Sequence, residues 1–438
     1  MSYSVKDVLR MEVAPALGCT EPVAVSLAAA AAASLLPPGE VRAVTVRVDP
    51  NIYKNGLAVR IPGTPNLAGL DTAAALGALG GDPARRLEVL DPVTPAVVEE
   101  AMRLTARGLV QVLVRDQFGL HVQVTVSRGG HEAEALITGT HDNLVSLSRD
   151  GRPVERHPLL RKPGPGNTGG LADLEEWLRG LSLADLAELA CTVDQEDLEF
   201  LEECVRVNLL LADYGLEHGP GLGVGRALAR LADRGMLGRD MVLSARMLTA
   251  AAADARMSGV KMPAMSSAGS GSHGLTAVLP VCAVRDFVDA TPRRALEAVA
   301  LSHLVTGYVK AHTGRLSALC GCSVAAGSGA TAGAAYLLGG GPEQMAAAMK
   351  NLIEDLAGVI CDGAKLGCAL KLGTAAGTAV QAALLAMQGV SAGPDDGIVA
   401  ATPEQTTRNL GVLSTQGMVE TDRTILRLLL EKRTPARG

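Results

Sequence analysis

Aromatic side chains are scarce in this chain: 1 Trp, 5 Tyr and 3 Phe among 438 residues. That removes the stacking platforms on which single-stranded nucleic acids are read. An excess of positive charge is missing too. With 40 Lys and Arg against 46 Asp and Glu, the net charge of −6 leaves no basic footprint for a phosphate backbone. Long runs of Leu, Ile and Phe are also lacking. Three long uncharged stretches, 22–39, 323–341 and 372–394, consist mainly of Ala, Gly, Ser and Thr without an aromatic belt. Such composition favours buried helices over membrane spans. The opening MSYSVKDVLRMEV has charges spread through it and no apolar leader core. The expectation is a cytoplasmic protein that touches neither membrane nor nucleic acid and keeps its thiols reduced.

What is present is small and apolar: 50 glycines, with Ala, Leu and Val filling the interior. A chain of this length buries a large core and is expected to form two or three domains. Residues 5–36 read as helix interrupted near 15–22, and Pro37-Pro38-Gly39 ends it. Alternation of period two predicts strands over 41–48, 57–61, 109–115, 121–127 and 131–137. The last two are joined as a hairpin at Arg128-Gly129-Gly130. Helices are expected over 66–79 and from Thr94-Pro95, a cap followed by proline at the first helical position.

The proline-punctuated segment 153–170 reads as a linker. Beyond it helices are expected over 171–179, 183–191, 195–217, 223–234, 239–257, 292–312, 342–359 and 374–388, with 262–279 irregular. The fold class is therefore α+β, a large mainly helical domain (171–438) with a smaller α+β domain (39–152) inserted. The N-terminal helix of 1–38 is assigned to the helical domain, because 23–36 is nearly uncharged and needs burial on every side. On that topology Cys19 falls beside the C-terminal cysteines. Small-residue helices also suit a subunit interface, so a homo-oligomer is open.

Eight cysteines remain to be explained. Cys320-Gly321-Cys322 and Cys361-Asp362-Gly363-Ala364-Lys365-Leu366-Gly367-Cys368 are glycine-rich strings, and Cys19 stands alone in Gly18-Cys19-Thr20-Glu21-Pro22. The spacing matches neither a zinc ribbon nor a ferredoxin run. By spacing alone, metal binding and simple burial both stay open. Cys191, Cys204 and Cys282 sit in helical patterns and are read as core.

The chain resembles the L-cysteine desulfidase family, related to the alpha chain of bacterial iron–sulfur L-serine dehydratases. Five strings carry the resemblance in order: PALGCTEPVAVSLA at 14–27, NIYKNG at 51–56, SSAGSGSHGLTAVLP at 266–280, LSHLVTGYVKAHTGRLSALCGCSVAAGSGATAG at 301–333 and ICDGAKLGCALKL at 360–372. It implies a 4Fe–4S cluster in the helical domain, held by Cys322, Cys361 and Cys368, with one iron open to substrate. Cys320 is the rival of Cys322. It further implies β-elimination of a small L-amino acid, L-cysteine going to pyruvate, ammonia and hydrogen sulfide, without pyridoxal phosphate. L-serine dehydration is the alternative, and a cluster-binding sensor without turnover is a second one.

Within that resemblance Cys19 is the expected base, with Glu21 orienting it or the substrate ammonium. Ser270, Ser272 and His273 form an expected carboxylate nest. Asn51 and Lys54, with Tyr53 and Asn55, are expected in a loop that reaches over the site. Arg315 is expected to pair a carboxylate bidentately, next to His312. His303 and His312, nine residues apart on one helix, cannot face one ligand together. Lys365 and Asp362 are expected near the cluster.

Overall fold

The computed structural model describes residues 2–64, 66–115, 119–160 and 170–432. The chain begins with α1 (Val5–Glu12), β1 (Pro15–Leu17), α2 (Thr20–Ser34), β2 (Val41–Val48), α3 (Pro50–Gly56), α4 (Leu70–Gly80) and α5 (Pro95–Ala106). Strands β3 (Val110–Val114), β4 (His121–Arg128), β5 (His131–Thr138), β6 (Leu144–Arg149) and β7 (Arg152–Pro153) follow. The strand expected at 57–61 is only a single bridge, Arg60 with Ala68. Most of the expected linker, 161–169, lies outside the described residues.

Six of these strands form one sheet in the order β3-β2-β4-β5-β6-β7. Only β2 and β3 run parallel; β2 with β4, β4 with β5, β5 with β6 and β6 with β7 are antiparallel. Alternation gives the sheet one apolar face, with Val44, Val46, Val48, Val122, Val124, Val126, Ala135 and Ile137 all buried. A one-sided sheet needs a cover, and α2 with α4 supplies it.

That corrects the expectation for the N-terminal helix. Beyond Glu21 in its first turn α2 is uncharged and buried all round, yet it lies against the sheet rather than in the helical part. Its alanines let α4 come so close that a Cβ on Gly77 would stand 2.2 Å from the carbonyl oxygen of Ser26. Only α1 and β1 join the helical cluster, through Val5, Val8 and Leu9 and through pairing with a later strand.

The helical part continues with α6 (Leu171–Arg179), α7 (Leu183–Ala190), α8 (Gln195–His218), α9 (Val224–Asp233) and α10 (Met241–Met257). After β8 (Pro263–Met265) come α11 (Gly271–Arg285), α12 (Pro292–Thr313), α13 (Gly321–Leu337) and α14 (Pro342–Leu356). Helices α15 (Cys368–Met387), α16 (Pro403–Val412) and α17 (Val419–Glu431) complete it. The irregular stretch expected at 262–279 is largely the buried first half of α11. Small residues again set the packing: a Cβ on Gly329 of α13 would sit 2.3 Å from the carbonyl of Ser302 on α12. Among the described residues α15 is long and apolar enough to cross a membrane, and it packs against α10, α13 and α14.

Candidate active site

Three local devices bring distant cysteines together. First, β1 pairs antiparallel with β8, Pro15 opposite Met265 and Leu17 opposite Pro263. Gly18 then turns with φ +80°, where a Cβ would collide with Pro62, and presents Cys19. Second, Ser267 and Ser270 bridge across Ala268 and Gly269, both at positive φ, the pattern of a type I′ turn. That turn aims the start of α11. Third, Leu319 bridges Ile360, with Cys320 N–H donating to the Val359 carbonyl at 2.9 Å and Cys361 N–H to that of Ala318 at 2.6 Å. The two C-terminal cysteine strings are thereby clamped side by side.

The result is one cavity of about 960 Å³ between atoms, its open mouth included. Cys19, Cys320, Cys322, Cys361 and Cys368 all line it. Cys322, Cys361 and Cys368 are half-buried, whereas Cys19 and Cys320 are buried. Four helices begin here: α2 after Cys19, α11 after Ser270, α13 after Cys320 and α15 at Cys368. None of the four has a side-chain cap. The N-termini of α2, α11 and α13 turn partial positive charge toward the cavity, a field that favours anions, whereas in α15 the N–H groups of Cys368, Ala369 and Leu370 donate to the carbonyls of Lys365, Leu366 and Gly367.

The facing wall is polar. Glu21 lies in the first turn of α2, where Oε1 accepts from Asn55 Nδ2 at 2.9 Å. Ser270, Ser272 and His273 occupy the cap and first turn of α11. His273 Nδ1 is 3.2 Å from the Ser267 carbonyl, so it carries the proton and leaves Nε2 as an acceptor. Ser267 is held in turn, its Oγ 2.9 Å from His303 Nδ1. A Cβ on Gly321 would stand 2.5 Å from His273 Nε2, so glycine is what admits the ring against the Cys320–Cys322 turn.

Five expected residues stand differently. Lys54 does not line the cavity; its Nζ pairs with Asp422 Oδ1 behind Cys361. Asn51 is buried at the start of α3, where its N–H donates to Asp49 Oδ1 at 2.8 Å, and Asn55 is the residue of that segment on the cavity. The segment is a helix, not a loop, because Asp49 caps it and Pro50 starts it. His312 faces away, edge-on to Tyr308 at 5.0 Å. Arg315 does line the cavity, but its guanidinium is engaged by Glu12 and Glu175. Those carboxylates hold it above the usual arginine range although burial works against its charge. Cys191, expected in the core, is exposed, its Sγ 3.6 Å from Tyr336 Oη.

Burial governs the ionisation here. It pushes the Cys19 thiol up to about 12, with Arg256 pulling the other way. It pushes Cys368 up to about 11, and it raises Cys361 against the pull of Lys54. The adjacent Cys320 and Cys322 thiols interact, which lowers Cys320 and raises Cys322: the pair loses its first proton easily and its second with difficulty. Burial drives His273 down to about 3 and His141 downward too. Asp362 is held at about 2, against burial, by Lys365 and Lys371, each 2.5 Å away.

Among the lining residues that sequence reasoning missed are Lys310, Arg256, His141 and Lys371. Lys310 had a signal, since it lies seven residues after His303, two turns along the same helix face. It is pushed down to about 8, by burial and then by Arg315. Arg256 had one as well, a charged side chain in the alanine-rich α10. His141, in the turn between β5 and β6, had none; its Nε2 is buried without a partner.

Fold and site define a mixed α+β protein with a small-molecule cavity, thiols on one wall and charged and hydroxyl groups on the other. A family model described as serine dehydratase alpha chain matches residues 84–427. A UPF0597 protein of Desulfatibacillum aliphaticivorans is 58% identical over 434 residues, 99% of each chain. One from Desulfotalea psychrophila is 56% identical over 432 residues, again 99% of each. One from Clostridioides difficile is 43% identical over 427 residues, 97% of this chain and 98% of its own. The chain belongs to the serine dehydratase alpha-chain family, among its UPF0597 proteins.

Proposed function

We propose that this chain is an iron–sulfur-dependent lyase that eliminates the β-substituent of a small L-amino acid, with L-cysteine as substrate. The observation that carries the reading is the meeting of Cys322, Cys361 and Cys368, all half-buried, with the uncapped N-termini of α2, α11 and α13 on one cavity. The donor set fits a 4Fe–4S group: thiolates in a field of helix N-termini and nearby cations. Among the described residues no three His, Cys, Asp or Glu side chains converge on a single ion.

Bound to Cys322, Cys361 and Cys368, such a group would supply an open iron, a Lewis acid for the sulfur or oxygen on Cβ. The chain's own residues do the rest. The first turn of α11, with Ser270, Ser272 and His273, receives the substrate's carboxylate end. Glu21, oriented by Asn55, takes the ammonium. Cys19, beside Arg256, accepts the Cα proton. The Cα–Cβ double bond then forms from the electrons of the broken C–H bond, and sulfide leaves with those of the Cβ–S bond. Water hydrolyses the resulting enamine to pyruvate and ammonia. No step calls for pyridoxal phosphate.

L-serine is the second reading, favoured by the description of the matching family model. Water and sulfide are both β-leaving groups, and the same residues would serve. Anaerobic purification with iron and sulfide analysis, followed by pyruvate assays on both amino acids, tests the proposal. Bound iron and pyruvate from L-cysteine are expected. Pyruvate from serine alone would overturn the substrate, and no iron after anaerobic reconstitution would overturn the cofactor.

A further inference from the structure

Most cations near the thiol wall already have a carboxylate. Lys54 is on Asp422, Lys365 and Lys371 are on Asp362, and Arg315 is between Glu12 and Glu175. Lys310 is different. It projects from α12 into the cavity at 3% exposure, and among the described residues its Nζ has no hydrogen bond or carboxylate partner. Its surroundings add repulsion. Arg315 repels it more strongly than any one of the thiols of Cys361, Cys322 and Cys320 attracts it, and Nζ stands 3.4 Å from where a Cβ on Gly321 would be, at the positive end of α13. A buried ammonium in that position is costly unless an anion occupies the cavity.

The neighbours say which part of an anion fits. His273, in the first turn of α11, stands 2.5 Å from that same Cβ position on Gly321, so Lys310 and that uncapped helix start share one corner. A corner with an ammonium on one side and free backbone N–H groups on the other suits a carboxylate, which accepts from both at once. We propose that Lys310 binds the α-carboxylate of the substrate and so restricts the site to amino acids that carry one. This rests on reading the cavity as an amino-acid lyase site. It adds to the α11 nest a full charge besides that of Arg256, whose guanidinium packs on Gly271, since His273 stays neutral.

Two thiols separate the contributions of carboxylate and amine: 3-mercaptopropionate has the carboxylate without the amine, and cysteamine the amine without the carboxylate. Full-length wild type, Lys310→Met and Lys310→Gln are prepared anaerobically and compared for iron content, turnover and inhibition by each. Both variants are expected to keep their iron. KM for L-cysteine should rise about tenfold or more with a smaller change in kcat, as for loss of a hydrogen bond to a charged group. Inhibition by 3-mercaptopropionate should weaken by about the same factor, and inhibition by cysteamine should not change. A merely structural lysine would not produce that selectivity. Equal weakening by both probes, or unchanged binding of 3-mercaptopropionate, overturns the proposal. Loss of iron from both variants also overturns it, making the cluster's charge the partner. Should the wild type turn over neither amino acid, the lyase reading fails by itself. Calorimetric binding of 3-mercaptopropionate to wild type and variants then still decides the role of Lys310.

Discussion

Lys54 Nζ lies 2.5 Å from Asp422 Oδ1, with both side chains buried, and ties α3 to α17. The same lysine's carbonyl fills the space that a Cβ on Gly363 would need, 2.4 Å away, so the pair backs the loop after Cys361. Breaking it strands a charge. Asp422→Asn is expected to cost about 3–5 kcal/mol in urea unfolding, and the double variant Lys54→Met, Asp422→Leu should recover most of that. A cost below about 1 kcal/mol for Asp422→Asn would show that the pair does not hold the loop.

Cys320 and Cys322 differ in what they face. Cys320 is buried at the cap of α13 and accepts from Ser323 Oγ at 3.3 Å, while Cys322 is half-buried on the cavity. Cys322→Ser, Cys361→Ser and Cys368→Ser should each lose iron after anaerobic reconstitution, and Cys320→Ser should retain it. The reverse pattern for the first pair would exchange their roles.

Arg256 governs the reactivity assigned to Cys19. A thiol must lose its proton to act as a base, so activity should climb with pH into the alkaline range. Arg256 draws Cys19 down from a value that burial has raised. Arg256→Gln should therefore move the rising limb of kcat/KM to higher pH, and Arg256→Lys should largely restore it. Cys19→Ser should keep its iron and lose turnover. A limb that ignores Arg256, or an active Cys19→Ser, removes Cys19 from that role.

Acid should destabilise the fold through its buried imidazoles. Burial holds His303 and His312 near 4 and His273 near 3, against 6.5 in the unfolded chain. Below pH 6.5 the unfolded state binds protons that the folded state refuses. The stability these groups give is thus complete above that value and drains away as pH falls toward 4. Each histidine contributes at most about 1.4 kcal/mol per pH unit in that window. His303→Gln should flatten the dependence of the urea midpoint on pH, and parallel profiles for variant and wild type would exclude His303 as a contributor.

Much of the secondary structure could be read from the chain. Alternation gave β2, β3, β4 and β5, and apolar periodicity gave most of the later helices. The small-residue composition announced backbone-to-backbone packing, seen where Gly77 meets Ser26 and Gly329 meets Ser302. The partner of α2 was not legible. A helix whose body is almost all small and apolar states that it must be covered, but not by what, and a sheet face met that need as well as a bundle.

The same division runs through the site. Which residue types were available, Cys19 and the two C-terminal cysteine strings with glycines beside them, was determined by the sequence. Which of them meet depended on pairings across hundreds of residues: Pro15 with Met265 and Leu319 with Ile360. Tertiary structure also decided where the charges go. Lys54, Arg315 and His312 looked available, yet the first two found carboxylates and the third faced Tyr308. Lys310 and Arg256 stood out only as charges on apolar helices, and it was the folded chain that brought them to the cavity. A side chain's partner is fixed by the folded neighbours that neutralise or desolvate it, and no local pattern records those neighbours.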